Sequence, residues 1–317
     1  MSATSIRRLS AALLLIAALA LGAAALSACG SSAAAASTSA SPSAGPITVT
    51  DDAGTQVTLA KPATRIVSLA PANTEIAYAI GAGDKMVAGT SYDDYPAEAK
   101  SLPKVGDFAN PSVEKIASYQ PDLVLAAAGI QDSLRKKLES LGMSVYVVDP
   151  KTYDGVIASI ENVGKLAGAD AGATKVTDQM TAAQMEVQAA VGDAAKKTTF
   201  LEIYSKPLMT AGKDTFISDM IGIAGGTNIG DQAGSGFPNF STEVLAKDDP
   251  AVYVADSGSM SKPGDITKRA GFADLTAVKD GNVYVIDDNL IARPGPRLAE
   301  GLKKLAQMIQ PEVYPAK

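Results

Sequence analysis

An alternation of short apolar strands with helices, interrupted once near the middle of the chain, is the feature that most constrains the fold. Strand-like segments that are apolar at nearly every position lie at 65–69, 86–89, 122–126 and 145–148, and again at 198–204, 251–255 and 283–286. Strands that are apolar on both sides indicate parallel sheets covered by helices on both faces. We therefore predict an α/β fold in two halves, preceded by a hairpin over 47–59.

The interruption is a helical segment. No strand-like run occurs between residues 153 and 195, and Gly168 and Gly172 divide this stretch into two helices. The second, roughly 173–195, would be over ~30 Å long at 1.5 Å per residue. Such a helix is a stiff connection between two lobes, although a surface helix of one large domain fits the same pattern. The predicted organisation is an N-terminal α/β lobe over 47–168, a connecting helix over 169–196 and a C-terminal α/β lobe over 197–317.

The first 28 residues have the pattern of a secretion signal. Arg7 and Arg8 precede an apolar run that extends from 11 to 26, which is too short and too rich in alanine for a comfortable membrane span. The run ends in Leu-Ser-Ala-Cys, which resembles the bacterial lipobox, and Cys29 is the one cysteine of the chain. We predict a signal peptide over 1–28 and lipidation of Cys29. An ordinary secretion signal with a chance cysteine, or a true membrane anchor, are the alternatives.

A tether follows the predicted lipidation site. Residues 29–46 are almost entirely Ser, Ala, Thr, Gly and Pro, so they cannot bury enough apolar surface to order themselves. We interpret them as a flexible link between the lipid and the folded lobes. The predicted location is the extracytoplasmic face of the cell membrane, with the protein held there by its lipid anchor.

Composition excludes several kinds of chemistry. The chain of 317 residues has no histidine and one cysteine, which removes Ser-His-Asp triads, histidine metal sites and internal disulfides. It also lacks a G-x-S-x-G elbow and a phosphate-binding P-loop, so the sequence does not indicate an enzyme. The net charge of −6 and the absence of a basic stripe do not favour nucleic acid as a partner.

Five motifs follow one another along residues 47–310. They are residues 91–96 (SYDDYP), 102–125, 210–214 (TAGKD) with 225–229 (GGTNI), 237–245 (FPNFSTEVL) and 293–297 (RPGPR). Together they resemble one family, the substrate-binding proteins of ABC importers for cobalamin, ferric siderophores and haem. The resemblance implies two Rossmann-like lobes joined by one rigid helix, with the ligand cleft between the lobes, no catalytic residues and no cofactor. It also implies a monomer whose partner is a permease dimer.

Carried over by position, the resemblance assigns the ligand wall. The SYDDYP segment is closest to the cobalamin-binding members, where the first tyrosine lines the cleft. The implied ligand residues are Tyr92 and Phe108 in the first lobe and Met209, Phe237, Arg293 and either Asp288 or Asn289 in the second.

Some of these residues have plainer interpretations, and the chain departs from the cobalamin binders at three places. Phenylalanine stands at 108 and 237, and small residues stand at 126–128, where those proteins carry tryptophan. Phe108 could simply pin its loop, and Met209 could fill the core. Phe240 is interpreted as core and Arg297 as a surface charge at a helix start. Asp93 and Asp94 are interpreted as turn or solvated acids.

Two glutamates are separate from the cleft. Glu114 and Glu243 each begin a short predicted helix, one in each lobe. The family's matching acids meet arginines on the permease, which implies a docking role for this pair. The alternative is an ordinary solvated acid that the helix dipole favours.

The ligand class is narrowed by the missing histidine. No imidazole is available to hold haem iron, corrinoid cobalt or a bare Zn or Mn ion, so we expect a transported metal to stay in its own chelate, with tyrosine as the one remote alternative ligand. A sugar or amino-acid binder would usually show two or three flexible crossovers between the lobes. A corrinoid such as cobalamin is preferred, with a ferric siderophore or haem as the alternative ligand and a secreted α/β enzyme as a remote alternative function.

Overall fold

Two β-sheets carry the two halves of the chain in the computed structural model, which describes residues 45–316. Both consist mainly of parallel strands, as the apolar runs predict. The eleven strands are β1 Ile47–Thr50, β2 Gln56–Leu59, β3 Ile66–Ser68, β4 Met86–Ala88, β5 Leu123–Ala127, β6 Val145–Val148, β7 Lys197–Ser205, β8 Leu208–Thr210, β9 Gly226–Asn228, β10 Val252–Asp256 and β11 Val283–Ile286.

Helices connect these strands and cover both sheets. The ten α-helices of the described chain are α1 Pro71–Ala79, α2 Val113–Ser118, α3 Asp132–Ser140, α4 Tyr153–Ala167, α5 Asp170–Val191, α6 Phe216–Ile223, α7 Thr242–Asp248, α8 Pro263–Ile266, α9 Thr276–Lys279 and α10 Leu298–Ile309.

The first lobe follows a hairpin. Strands β1 and β2 pair antiparallel, and the parallel sheet that follows has the order β4-β3-β5-β6. The second lobe has the order β11-β10-β7-β8, and β9 pairs with the other end of β7. Within these orders, β7, β10 and β11 occupy the positions that β3, β5 and β6 occupy in the first lobe.

The central helical segment has the predicted division. Helix α4 ends at Gly168, whose positive φ of 61° favours a residue without a side chain. Helix α5 has 22 residues, about 33 Å at 1.5 Å per residue. Gly172 lets α5 approach α1, because a Cβ there would lie 1.9 Å from the carbonyl oxygen of Ile80.

One core joins the two lobes. Inward-facing residues of both sheets, such as Ile66 and Leu125 in the first lobe and Leu201 and Val254 in the second, belong to one continuous buried cluster with α4, α5, α6 and α10. The outward faces form separate clusters, one around Val124 and the other in the second lobe. Both sheets are therefore covered on both faces, as predicted.

Two short strands were not predicted. Strands β8 and β9 have three residues each, too short for a periodic pattern. Strand β8 runs antiparallel to β7, so the second sheet is mixed rather than wholly parallel.

The N-terminal predictions lie outside the described residues. The signal peptide, the lipidation site Cys29 and most of the tether precede residue 45. Within 45–316, no helix combines the length and the apolar character that a membrane span requires.

Candidate functional site

A buried glutamate ties the two lobes together. Glu75 lies on α1 of the first lobe, and its side chain is only 2% exposed. Arg297, at the start of α10, donates from Nε to Oε2 at 2.7 Å and from Nη2 to Oε1 at 2.6 Å. The interpretation of Arg297 as a surface charge is therefore wrong, because its guanidinium forms an ion pair with a buried acid in the other lobe.

Arg293 makes a second connection between the lobes. Its Nη1 donates to Glu75 at 2.8 Å and to Asp94 at 2.6 Å. The hydrogen bond from Arg293 lowers the pKa of Asp94. The guanidinium carbon of Arg297 lies 4.5 Å from the ring centroid of Tyr95, within reach of a cation–π interaction.

These contacts bring the carboxyl edges of the two sheets to one place. Asp94 lies in the segment after β4, and Arg293 lies in the segment after β11. Ligands of open parallel α/β sheets bind beyond the carboxyl ends of the strands. We therefore take the region between the two lobes at these carboxyl edges, beside the Asp94–Arg293 pair, as the candidate ligand site and call it the crevice.

The Tyr92 side chain projects into solvent from a rigid loop in the first lobe. The following residue, Asp93, is buried and accepts hydrogen bonds from the Thr74 hydroxyl at 2.8 Å and from the Thr90 amide at 2.9 Å. Tyr92 itself is 58% exposed. Asp93 is thus the turn acid of this loop, and it leaves a large aromatic side chain unburied at the edge.

Phe108 is half-buried beside a polar anchor. The buried Gln131 side chain donates to the carbonyls of Leu69 and Phe108, both at 2.8 Å, and accepts from the Ala127 amide at 2.9 Å. Gln131 therefore joins the ends of β3 and β5 to the Phe108 loop. This arrangement fits both interpretations of Phe108, a ligand contact and a pin for its loop.

Two predicted ligand residues, Met209 and Phe237, share one face of the second sheet with Tyr204. Tyr204 pairs with Met209 across β7 and β8, and Met209 pairs with Asn239 on its other side. The antiparallel register continues, because the Gly212 amide bonds the Gly236 carbonyl. Phe237 is therefore the diagonal neighbour of Met209 on the same face. Tyr204 and Phe237 are exposed, Met209 is half-buried, and Phe240 is buried as predicted.

Asp288 and Asn289 are half-buried at the carboxyl edge and have different partners. Asp288 accepts from the Ser257 hydroxyl at 2.7 Å, whereas the Asn289 amide donates to Asp287 at 2.9 Å. The neighbouring Asp256, at the end of β10, was not singled out from the sequence. Burial raises the pKa of its carboxyl to about 7, and the charges of Asp288 and Glu202 contribute.

The two glutamates occupy matching places. Glu114 and Glu243 are both exposed, and each lies in the first turn of a helix with a serine N-cap, Ser112 or Ser241. The two helices, α2 and α7, directly precede the equivalent strands β5 and β10. Backbone and Ser112 hydrogen bonds lower the pKa of Glu114, so this acid is charged at neutral pH.

The best-defined grooves within residues 45–316 are lined by other side chains. A groove of about 570 Å³ lies between the starts of α4 and α6 and the side of α5, lined by residues that include Lys151, Gln188 and Lys213. In the described part of the chain, no group of three or more His, Cys, Asp or Glu side chains is arranged to hold a metal ion.

Sequence reasoning missed Glu75, although a signal was present. It is the one acid in a helix that is otherwise apolar or small and that contains no lysine or arginine. A buried carboxylate of this kind needs a cation from elsewhere in the fold. Arg293 and Arg297, four residues apart just before α10, supply it.

Comparison with known proteins assigns the fold and the site to one class. The model of the periplasmic binding protein family matches residues 66–290, and the chain belongs to this family. The ABC transporter substrate-binding lipoprotein YvrC of Bacillus subtilis is 37% identical over 279 residues, which cover 85% of this chain and 87% of that protein.

Two solved structures are similar over most of this chain. The periplasmic vitamin B12-binding protein BtuF of Vibrio cholerae has a TM-score of 0.72 and 29% identity, covering 78% of this chain and 97% of its own. The periplasmic heme-binding protein RhuT of Roseiflexus has a TM-score of 0.68 and 26% identity, covering 77% and 97%. The predicted class is confirmed: the chain is a solute-binding protein of the ABC transporter type and not an enzyme.

Proposed function

We propose that this protein captures a corrinoid such as cobalamin outside the cytoplasm and delivers it to an ABC importer. The observation that carries the proposal is the pair of exposed aromatic side chains Tyr92 and Phe237, one in each lobe, together with the Arg293 ion pairs that join the lobes. Broad aromatic faces suit a large ligand with an extended planar ring system.

Polar groups at the same edge orient the bound ligand. Arg293 is half-buried and has a labile partner in Asp94, whose side chain is 56% exposed. An amide or phosphate oxygen of the ligand can take the place of that carboxylate at the guanidinium. Asp288 and Asn289 offer an acceptor and an amide a short distance along the edge. The metal stays in its own macrocycle, because the chain has no histidine to bind it.

Visible absorption tests the proposal. The chain from residue 29 onward, with Cys29 replaced by Ser, is incubated separately with cyanocobalamin, a ferric hydroxamate and haemin and then desalted. A retained corrinoid spectrum supports the proposal. Retention of the ferric charge-transfer band or of the haem Soret band, without corrinoid, would transfer the protein to the alternative ligand class.

The lipid anchor belongs to the same proposal. Cys29 follows a lipobox-like segment, and the similar Bacillus subtilis protein is named a lipoprotein. In the cell, Cys29→Ser should release the protein from the membrane fraction into the soluble extracytoplasmic fraction. A variant that stays membrane-bound would show that the attachment lies elsewhere.

A further inference from the structure

Each lobe presents one exposed aliphatic side chain at its carboxyl edge. Ile130, in the turn after β5, is 59% exposed, and Met260, in the loop after β10, is 80% exposed. Because β5 and β10 occupy equivalent positions in the two sheets, the two side chains hold matching places on either side of the crevice. Neither was predicted from the sequence.

Met260 is held in an unfavourable backbone conformation. Its φ of 57° and ψ of 20° lie in the left-handed region, which disfavours residues that carry a Cβ. A methionine in this conformation gains nothing from burial, since most of its side chain is in solvent. Strain of this kind persists only where surrounding structure enforces it, and it concentrates at functional sites.

A buried ionic cluster holds Met260 in this left-handed conformation. The fully buried Glu202 accepts hydrogen bonds from Arg269, Tyr253 and, at 2.5 Å, the Ser261 hydroxyl. Burial alone would raise the pKa of Glu202, but these hydrogen bonds outweigh it and lower the pKa. Ser261 directly follows Met260, so the cluster anchors one side of the loop.

Other hydrogen bonds fix the rest of the loop. The Ser259 amide donates to Asp256 at 2.7 Å, and the Ser205 hydroxyl donates to the Ser259 carbonyl at 3.3 Å. Ser205 directly follows Tyr204, the outer member of the Tyr204–Met209–Phe237 face. The loop is thus rigid and adjoins the aromatic wall, with Met260 as its one projecting apolar side chain.

Ile130 has a similar support. It lies between Gly129, with a φ of 76°, and the buried Gln131 that joins three segments of the first lobe. In both lobes, then, an exposed aliphatic residue directly precedes a buried polar anchor.

We propose that Ile130 and Met260 contact the bound solute from opposite lobes and help to determine its size and shape. This rests on the proposed function. The chain has no tryptophan, so a wide apolar ligand must draw contact area from aliphatic side chains as well as from its few aromatic ones. The flexible, polarisable thioether of methionine adapts to an irregular ligand surface.

Matched variants test the proposal by titration with cyanocobalamin. Met260→Ala and Ile130→Ala should each weaken binding about ten-fold, the cost of leaving one such side chain without its contact. The controls are Met185→Ala, 64% exposed on α5, and Leu141→Ala, 56% exposed at the far end of α3 from Ile130. Both should bind within about two-fold of the unaltered protein, since a residue that stays in solvent contributes little.

Met260→Gly separates ligand contact from structure. Glycine accepts the left-handed conformation, so Tm should hold or rise while affinity falls as for Met260→Ala. Methyl NMR adds an independent readout: the Met260 resonance should shift on ligand addition and the Met185 resonance should not.

The outcomes distinguish the two proposals. Unchanged affinity in both alanine variants, with a working unaltered protein, overturns the contact role and leaves the proposed function intact. An unaltered protein that binds a ferric hydroxamate or haemin instead of cyanocobalamin overturns the corrinoid assignment. In that case, the Met260 shift with the retained ligand decides the contact role. Loss of uptake without loss of affinity would assign the two residues to the permease interface and overturn the proposal.

Discussion

Glu75 and Arg297 form a two-point ion pair that joins the first helix of one lobe to the last helix of the other. Both oxygens of the carboxylate accept from the guanidinium, at 2.7 and 2.6 Å, and Arg293 shares one of these oxygens. The planar fork of arginine matches a carboxylate in this geometry, which lysine cannot reproduce. The attachment of the two lobes at this point therefore depends on a charge in the interior.

Glu75→Gln should destabilise the protein strongly. The amide leaves two guanidinium groups without their shared counter-charge, and breaking a buried pair in this way costs about 3–5 kcal/mol. Urea unfolding at neutral pH measures the effect. Glu300→Gln is the control, because Glu300 pairs with Lys304 at 2.9 Å on the surface with 59% exposure, and exposed pairs contribute only about 0–1 kcal/mol. Equal losses in the two variants would show that the Glu75 pair is not a stabilising tie.

Tyr92→Ala and Phe237→Ala should each weaken ligand binding. Removal of an aromatic side chain that the ligand buries costs about 1–3 kcal/mol, or roughly one to two decades in Kd. Isothermal titration with the ligand that the protein retains gives the constants. Tyr92→Phe keeps the ring and should bind nearly as tightly as the unaltered protein. If the alanine variants also bind normally, the aromatic wall is elsewhere.

The double variant Glu114→Ala/Glu243→Ala should keep its ligand affinity and lose transport. Both acids are exposed in the first turn of a short helix, Glu114 on α2 and Glu243 on α7, and neither is among the predicted ligand residues. Their loss removes charge that steers docking, so uptake by cells with the importer should fall most at low salt. Glu161→Ala/Asp178→Ala changes the net charge equally at two exposed positions and should transport normally. Uptake that falls equally in both double variants would indicate a general charge effect.

Asp256→Asn should remove a pH dependence of stability. Because burial raises the pKa of this carboxyl to about 7, the folded protein keeps a proton that the unfolded chain releases above about pH 4. The free energy of unfolding therefore falls as the pH rises from 4 to 7, by up to about 1.4 kcal/mol per unit. The carboxylates of Asp288 and Glu202 face the group and favour the protonated form.

The measurement compares urea unfolding at pH 5.5 and pH 7.5. Relative to Asp256→Asn, the unaltered protein should lose about 2 kcal/mol between these values, since the amide cannot ionise. The pKa values of Asp94 and Glu202 are lowered, so their ionised forms stabilise the folded protein at neutral pH. This contribution to the free energy of unfolding is lost only in more acidic solution. A difference between the two proteins that stays constant with pH would mean that Asp256 is ionised throughout this range.

The repeating strands and helices were predictable because their signals are local. Runs such as Val145–Val148 and Val283–Ile286 are apolar at every position, and both strands have the predicted limits. Helix ends were less certain, and α5 begins and ends a few residues earlier than the pattern predicts. Neither end of α5 has a side-chain cap that the sequence could have revealed: the residues that flank it are Ala169 and Gly192.

The ion pairs between the lobes could not be predicted in the same way. Arg297 meets Glu75 only because the chain returns after 222 residues, and no local pattern encodes that distance. The equivalence of Glu114 and Glu243 was easier to predict from the sequence. Serine, glutamate and a proline before the strand recur at one spacing in both halves: Ser112, Glu114 and Pro121, and Ser241, Glu243 and Pro250. Aligning the two halves of the sequence with each other is enough to reveal this equivalence.

The continuous core has a consequence for how the protein denatures. Because residues of both sheets pack into one buried cluster with α5 between them, neither lobe can open its inner face without exposing apolar surface of the other. We therefore expect residues 45–316 to unfold cooperatively, because a fragment containing one lobe would expose its part of that cluster to water. Substitutions as far apart as Glu75 and Asp256 should therefore change one and the same free energy of unfolding.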